Sequence, residues 1–297
     1  MPLSRYVLIF FFMFVLSCSH TYALPSLQRK GTATQLLVEG KPFLMLGVET
    51  TNKLLDDPSD LPHLDENLSM YKRAGVNTVL IPVTWASLEP VEDQYDYTMI
   101  DALIQGCRRH KLKLVVLWFG AIKNGQVGFA PRWFKDDRER FFRARNAQGK
   151  EMFAISPFCK AAIEADSEAF VLLMQRIKRQ DPKGHIVIMV QPENETGCAG
   201  MKNDRDHSPA GIEAWRAQVP SVLIDYLSEH DGRLMSWLQE AWRGHGKRSR
   251  GTWAEVFGDG RAGHHIFMSY YMARFVEQVA RAGRAVHNLP MYANDWL

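Results

Sequence analysis

The run from Ile186 to Val190 is apolar and β-branched, and within five residues it ends in Glu193-Asn194-Glu195. Its length and composition predict a strand buried on both faces, the kind found in parallel sheets covered by helices. Such a sheet presents its functional groups at the carboxyl ends of its strands. The chain must therefore place two carboxylates and an amide at one rim of a strand-and-helix fold.

The rest of the chain supplies the alternation that such a fold needs. Gln35–Glu49 reads as a hairpin turning at Glu39-Gly40-Lys41, with Pro42 opening the apolar run Phe43–Val48. Helical spacing over Leu64–Ala74 stops at Gly75, and a strand is expected over Val76–Val83. A helix over Thr98–His110, a strand over Leu112–Phe119, a helix over Ala161–Lys178 and a strand over His185–Gln191 follow. Beyond the acids, Ile212–Glu229, Gly232–Gly244, Thr252–Phe257 and His265–Ala282 read as helices, and Pro290–Asn294 as one more strand. Alternation of this kind predicts an α/β fold of the (β/α)8 TIM-barrel type, incomplete, with about five of its eight strands present.

The amino terminus bounds where the protein works. Arg5 precedes Val7–Leu16, which is wholly apolar but too short to span a bilayer, and Thr21-Tyr22-Ala23 offers small residues before a cleavage point. Residues 1–23 are expected to be an export signal, with the alternative of a lipoprotein anchor at Cys18. The remainder, residues 24–297, has the size of one barrel domain. A net charge of +3 gives no ground for nucleic-acid binding, and no later segment is long and apolar enough to cross a membrane. Cys107, Cys159 and Cys198 lack the spacing of a zinc cluster or a disulfide framework, and His264-His265 has no further ligand at metal spacing. Neither a metal nor a cofactor is expected.

Two carboxyl groups and an amide at a strand end suit glycoside hydrolysis, in which a neutral carboxylic acid protonates the leaving oxygen. Polar or aromatic residues at or just after other strand ends extend the candidate site to Glu49, Asn52, Trp85, Trp118 and Asn294, with Glu89 and Lys123-Asn124 as weaker members. Glu193 shares a strand face with Glu195 but lies deeper. Strict alternation would turn Asn194 away from that face, so the strand must end or bulge there. Each residue also has a plain structural reading: Glu89 can tie down its own loop, and Trp118 can belong to the core.

Four motifs then carry a resemblance. Leu37-Val38-Glu39-Gly40-Lys41-Pro42-Phe43-Leu44-Met45-Leu46-Gly47, Trp85-Ala86-Ser87-Leu88-Glu89-Pro90 followed by Tyr95-Asp96-Tyr97, Leu117-Trp118-Phe119-Gly120, and Val190-Gln191 through Glu193-Asn194-Glu195 occur in order. Together they resemble bacterial β-galactosidase-like glycoside hydrolases, families thirty-five and forty-two of clan A. The resemblance implies a retaining exo-β-glycosidase acting on carbohydrate. It makes Glu195 the general acid/base and Asn194 a contact to the sugar hydroxyl beside the anomeric carbon. It also puts the nucleophile at the end of a seventh strand, which these 297 residues are not expected to form, so an inactive fragment or a sugar-binding pseudoenzyme is the alternative.

Overall fold

The computed structural model describes residues 23–50, 61–198 and 204–295. The export-signal expectation and Asn52 lie outside these residues. The described chain opens with an antiparallel meander of β1 (Ser26–Lys30), β2 (Ala33–Val38) and β3 (Lys41–Pro42). The expected hairpin forms only in its first part: β2 and β3 pair antiparallel around Glu39-Gly40 and the Phe43 N–H still donates to the Leu36 carbonyl at 2.8 Å, after which the run crosses to a different sheet. Asn77 holds that crossing: its Oδ1 accepts from the Leu46 N–H at 2.9 Å and its Nδ2 donates to the Leu44 carbonyl at 2.9 Å.

The central sheet is parallel, in the order β4 (Gly47–Glu49), β5 (Thr78–Thr84), β6 (Lys113–Lys123), β9 (Val187–Asn194). Helices α1 (Leu61–Arg73), α3 (Thr98–His110) and α5 (Lys160–Gln180) alternate with these strands, as the periodicity predicts. Between β5 and α3 lies the single turn α2 (Trp85–Leu88), and between β6 and α5 lie α4 (Arg132–Asp136) and the hairpin of β7 (Arg143–Arg145) and β8 (Glu151–Ile155). The expected fifth strand is only partly realised: Met291 bridges Val190 and Asp295 bridges Thr196, both in parallel.

Strand alternation divides the sheet into two faces. Val115, Leu117 and Phe119 join Val38, Phe43, Met45, Leu80, Met189 and Tyr292 on the concave side. Leu114, Val116 and Trp118 join the helices' apolar faces, with Ala162, Ala165, Ala169, Phe170 and Leu173 of α5. Asp181, just past α5, accepts from the N–H groups of Ile186 at 2.7 Å and Val187 at 2.8 Å, which fixes where β9 begins.

The region after β9 forms its own apolar cluster around Trp215, Trp253, Phe257 and Phe267. Its elements are α6 (Pro209–Arg216), α7 (Ser221–Glu229), α8 (Ser236–Gly244), α9 (Trp253–Phe257) and α10 (Arg261–Val286). The expected single helix over 212–229 is broken because Pro220 caps α7. Helix α10 also packs on α5 through Met272, Phe275 and Val279. At Gly283 a Cβ would sit 2.3 Å from Phe170 Cε1, so the close crossing of α10 and α5 requires glycine.

Candidate active site

The site is built where β9 leaves regular geometry. Register pairs Gln191 with Leu117, which puts Gln191 on the concave face. Glu193 then takes φ +60° and Glu195 φ +48°, two left-handed residues around Asn194. Each costs a non-glycine residue about 1–2 kcal/mol, so surrounding contacts must hold them. The double reversal supplies the break that strict alternation demanded. Glu193 goes to the helical side, while Asn194 returns to the side of Gln191, whose Nε2 donates to Asn194 Oδ1 at 2.8 Å.

Neighbouring strand ends lock this turn. The Asn124 N–H donates to the Asn194 carbonyl at 3.1 Å, and the Gly125 N–H to the Glu195 carbonyl at 3.0 Å. From the other side, Asn294 Oδ1 accepts from the Glu195 N–H at 2.9 Å, and Asn294 Nδ2 donates to Asn194 Oδ1 at 3.2 Å. Asn194, Glu195 and Asn294, singled out by sequence, are thus one hydrogen-bonded unit. Asn194 Nδ2 makes no hydrogen bond to any described residue and is available to donate.

The Glu195 side chain is a third exposed, and its Oε2 lies 3.7 Å from Lys123 Nζ. The Lys123 ammonium, nearly buried, bonds Asn124 Oδ1 and sits 4.9 Å from the centre of the Phe119 ring. Glu49 ends β4 in register with Leu80 and so shares the concave face. Burial, and next the Glu49 carboxylate, push the Tyr292 phenol up to about 12, which leaves it a neutral donor near neutrality.

Two expected sugar contacts fall elsewhere. Trp118 is fully buried on the helical face, where its Nε1 donates to Asp166 Oδ1 of α5 at 2.9 Å. Trp85 is fully buried too, packed on Trp133 and Phe134, and its Nε1 donates to Glu89 Oε2 at 2.7 Å. Glu89 Oε1 accepts from the Asp93 N–H at 2.9 Å, so Glu89 ties down its own loop. Burial raises its carboxyl while the Trp85 bond opposes that shift. Trp118 alternates away from the concave face and Trp85 is enclosed at the start of α2, so neither offers a ring to a ligand there.

What sequence reasoning missed is a buried acid pair behind the site. Glu193 Oε2 accepts from the Ile122 N–H at 2.7 Å, and Asp166 Oδ2 from the Ala121 N–H at 3.0 Å. Both side chains are fully buried. Burial, then the neighbouring Asp166 carboxylate, raise the Glu193 carboxyl well above the ordinary range, and burial raises Asp166 as well. A Cβ on Gly120 would lie 2.4 Å from Asp166 Oδ1, 2.4 Å from Glu193 Oε1 and 2.5 Å from Trp118 Nε1. Gly120→Ala is therefore expected to destabilise the fold by about 1–3 kcal/mol, the usual cost of overpacking, measurable by urea denaturation. The available signal was Asp166 itself, an acid at a core-facing position between Ala162 and Ala169.

Comparison with known proteins is consistent with this architecture. Residues 59–247 match the family model Glyco_hydro_42, described as beta-galactosidase. None of the curated proteins matches the chain. Among solved structures, a beta-galactosidase from the Antarctic haloarchaeon Halorubrum lacusprofundi aligns with TM-score 0.56 at 18% identity, covering 84% of this chain and 36% of that one. Gan42B, a GH42 beta-galactosidase from G. stearothermophilus, aligns with TM-score 0.54 at 16% identity, covering 84% and 35%. The catalytic domain of beta-amylase from Paenibacillus polymyxa aligns with TM-score 0.54 at 14% identity, covering 84% and 65%. At these identities the structures establish a shared barrel fold. The chain spans about a third of the length of the galactosidases it matches.

Proposed function

The chain belongs to the Glyco_hydro_42 beta-galactosidase family, and from that premise we propose that it carries the acid/base half of a retaining β-galactosidase site. Glu195 is the general acid/base, and Asn194 and Asn294 bind the sugar. The observation that carries this reading is the Asn194–Glu195–Asn294 unit at the carboxyl end of β9. Two strained residues hold it there, and Asn194 Nδ2 is left to donate to a ligand.

The chemistry follows from the placement. A sugar hydroxyl accepts from Asn194 Nδ2. The Glu195 carboxyl, exposed on one side, reaches the glycosidic oxygen and gives it a proton as the bond to the anomeric carbon breaks. Lys123 holds the carboxylate between proton transfers, and Glu49 and Tyr292 supply further polar groups on the same concave face. Retention of configuration also needs a carboxylate nucleophile about 5–5.5 Å from the acid. The family resemblance assigns it to a strand that lies outside the four described here.

Sugar binding is the direct test, because it needs no nucleophile. Methyl β-galactoside is expected to bind the chain, and Asn194→Ala or Glu195→Ala should weaken binding about tenfold or more, the equivalent of one or two lost hydrogen bonds. Trp85→Phe should leave affinity unchanged, since that ring packs on Trp133 and Phe134, away from the concave face. Unaltered affinity in Asn194→Ala would refute the assignment.

A further inference from the structure

Glu193 does no chemistry in this scheme, yet it is the residue at which β9 reverses. Its side chain leaves the concave face, passes beneath Gly120 and ends against Asp166. Four groups from two elements converge there: the Ala121 and Ile122 N–H groups and the Trp118 indole from β6, and the Asp166 carboxylate from α5. Gly120 leaves them the space. A left-handed glutamate is sterically opposed and persists only where contacts over-determine it, and these contacts do so.

We propose that Glu193 is a positioning residue: its side chain, clamped between β6 and Asp166, holds the reversal that turns Asn194 and Glu195 into the concave site. The inference rests on the sugar-site reading only for its effect on ligand. The geometric part, which concerns the turn itself, stands apart from it. Asp166 serves as the fixed end of the clamp, with both oxygens occupied by donors from β6. Glu193 Oε1 has no well-aligned hydrogen-bond partner among the described residues, and a proton held there removes its repulsion from Asp166.

Glutamine keeps the acceptor for Ile122 and offers an N–H to Asp166, whereas alanine offers neither. The full chain, with folding checked by circular dichroism, is compared as wild type, Glu193→Gln and Glu193→Ala. Two readouts are taken: the amide resonance of Glu195, whose N–H is held by Asn294, and the affinity for methyl β-galactoside. Glu193→Gln is expected to keep the Glu195 resonance and to bind within about twofold of wild type. Glu193→Ala is expected to displace that resonance and lose about tenfold in affinity, roughly 1.4 kcal/mol. If alanine unfolds the chain, Glu193→Met, similar in volume but without polar atoms, takes its place.

An unmoved Glu195 resonance in a folded Glu193→Ala or Glu193→Met chain would overturn the proposal. So would damage by glutamine equal to that by alanine. If wild type binds no galactoside, the sugar reading fails alone, and the resonance still decides the role of Glu193.

Discussion

Glu193→Gln is expected to make the protein more stable near neutral pH, although it replaces a buried residue at the heart of the fold. The folded-state carboxyl titrates well above its ordinary value of 4.5 because it is fully buried beside Asp166. The folded chain therefore keeps a proton that the unfolded chain releases. Stability from this group is fully present below the ordinary glutamate range. It falls by about 1.4 kcal/mol per pH unit as the pH rises from there toward the folded-state value. Asp166, shifted upward first by its own burial, adds to the same trend. Glutamine has no proton to lose, so its advantage should be near zero at pH 4.5 and grow steadily as the pH rises toward neutrality. Urea denaturation of both proteins across that range checks it. Curves that stay parallel would mean that Glu193 is ionised in the fold.

The second large effect concerns turnover. The 297-residue polypeptide, assayed alone on nitrophenyl β-galactosides, is expected to work near the background rate. The family resemblance puts the nucleophile on a seventh strand, and where it is missing the covalent intermediate that divides one hard step into two easier ones does not form. In a polypeptide that also carries the remaining strands, Glu195→Gln should lower kcat by about 10²–10⁴, the usual worth of general acid–base catalysis. The loss should shrink on substrates whose leaving group needs no proton. Strong turnover by the 297 residues, abolished by Glu195→Gln, would show that a nucleophile lies among them.

Much of the fold was legible because burial writes itself into periodicity. Thr98–His110 has the bounds its spacing predicts, and the apolar runs at 112–119 and 185–191 are β6 and β9. Both strands run past the predicted ends, because most of the residues that finish them, Gly120, Ala121, Lys123 and Pro192–Asn194, are small, polar or proline, and Ile122 is the one strand former among them. The 143–155 hairpin left even less of one, with arginines and a glutamate in its strands.

At the site, sequence singled out Asn194, Glu195 and Asn294 one by one, since each follows an apolar run, and the structure joins them by hydrogen bonds. It placed Trp85 and Trp118 wrongly because position along a strand does not reveal which face a ring takes. The register does: Val83 pairs with Trp118, and Trp118 with Pro192, all on the helical side. The pairing of Glu193 with Asp166 was out of reach, because it depends on a left-handed backbone angle and on an acid 27 residues earlier. Asn52 lies outside the described residues.

The account turns on whether a sugar meets Asn194 and Asn294 at the end of β9. The most direct measurement is to follow the side-chain amide resonances of the two asparagines, and the Glu195 backbone amide, while methyl β-galactoside is titrated into the full chain. All three are expected to shift together along one saturating curve, with the indole resonances of Trp85 and Trp118 unmoved. Saturable shifts of the two indoles with the asparagine amides unchanged would contradict it.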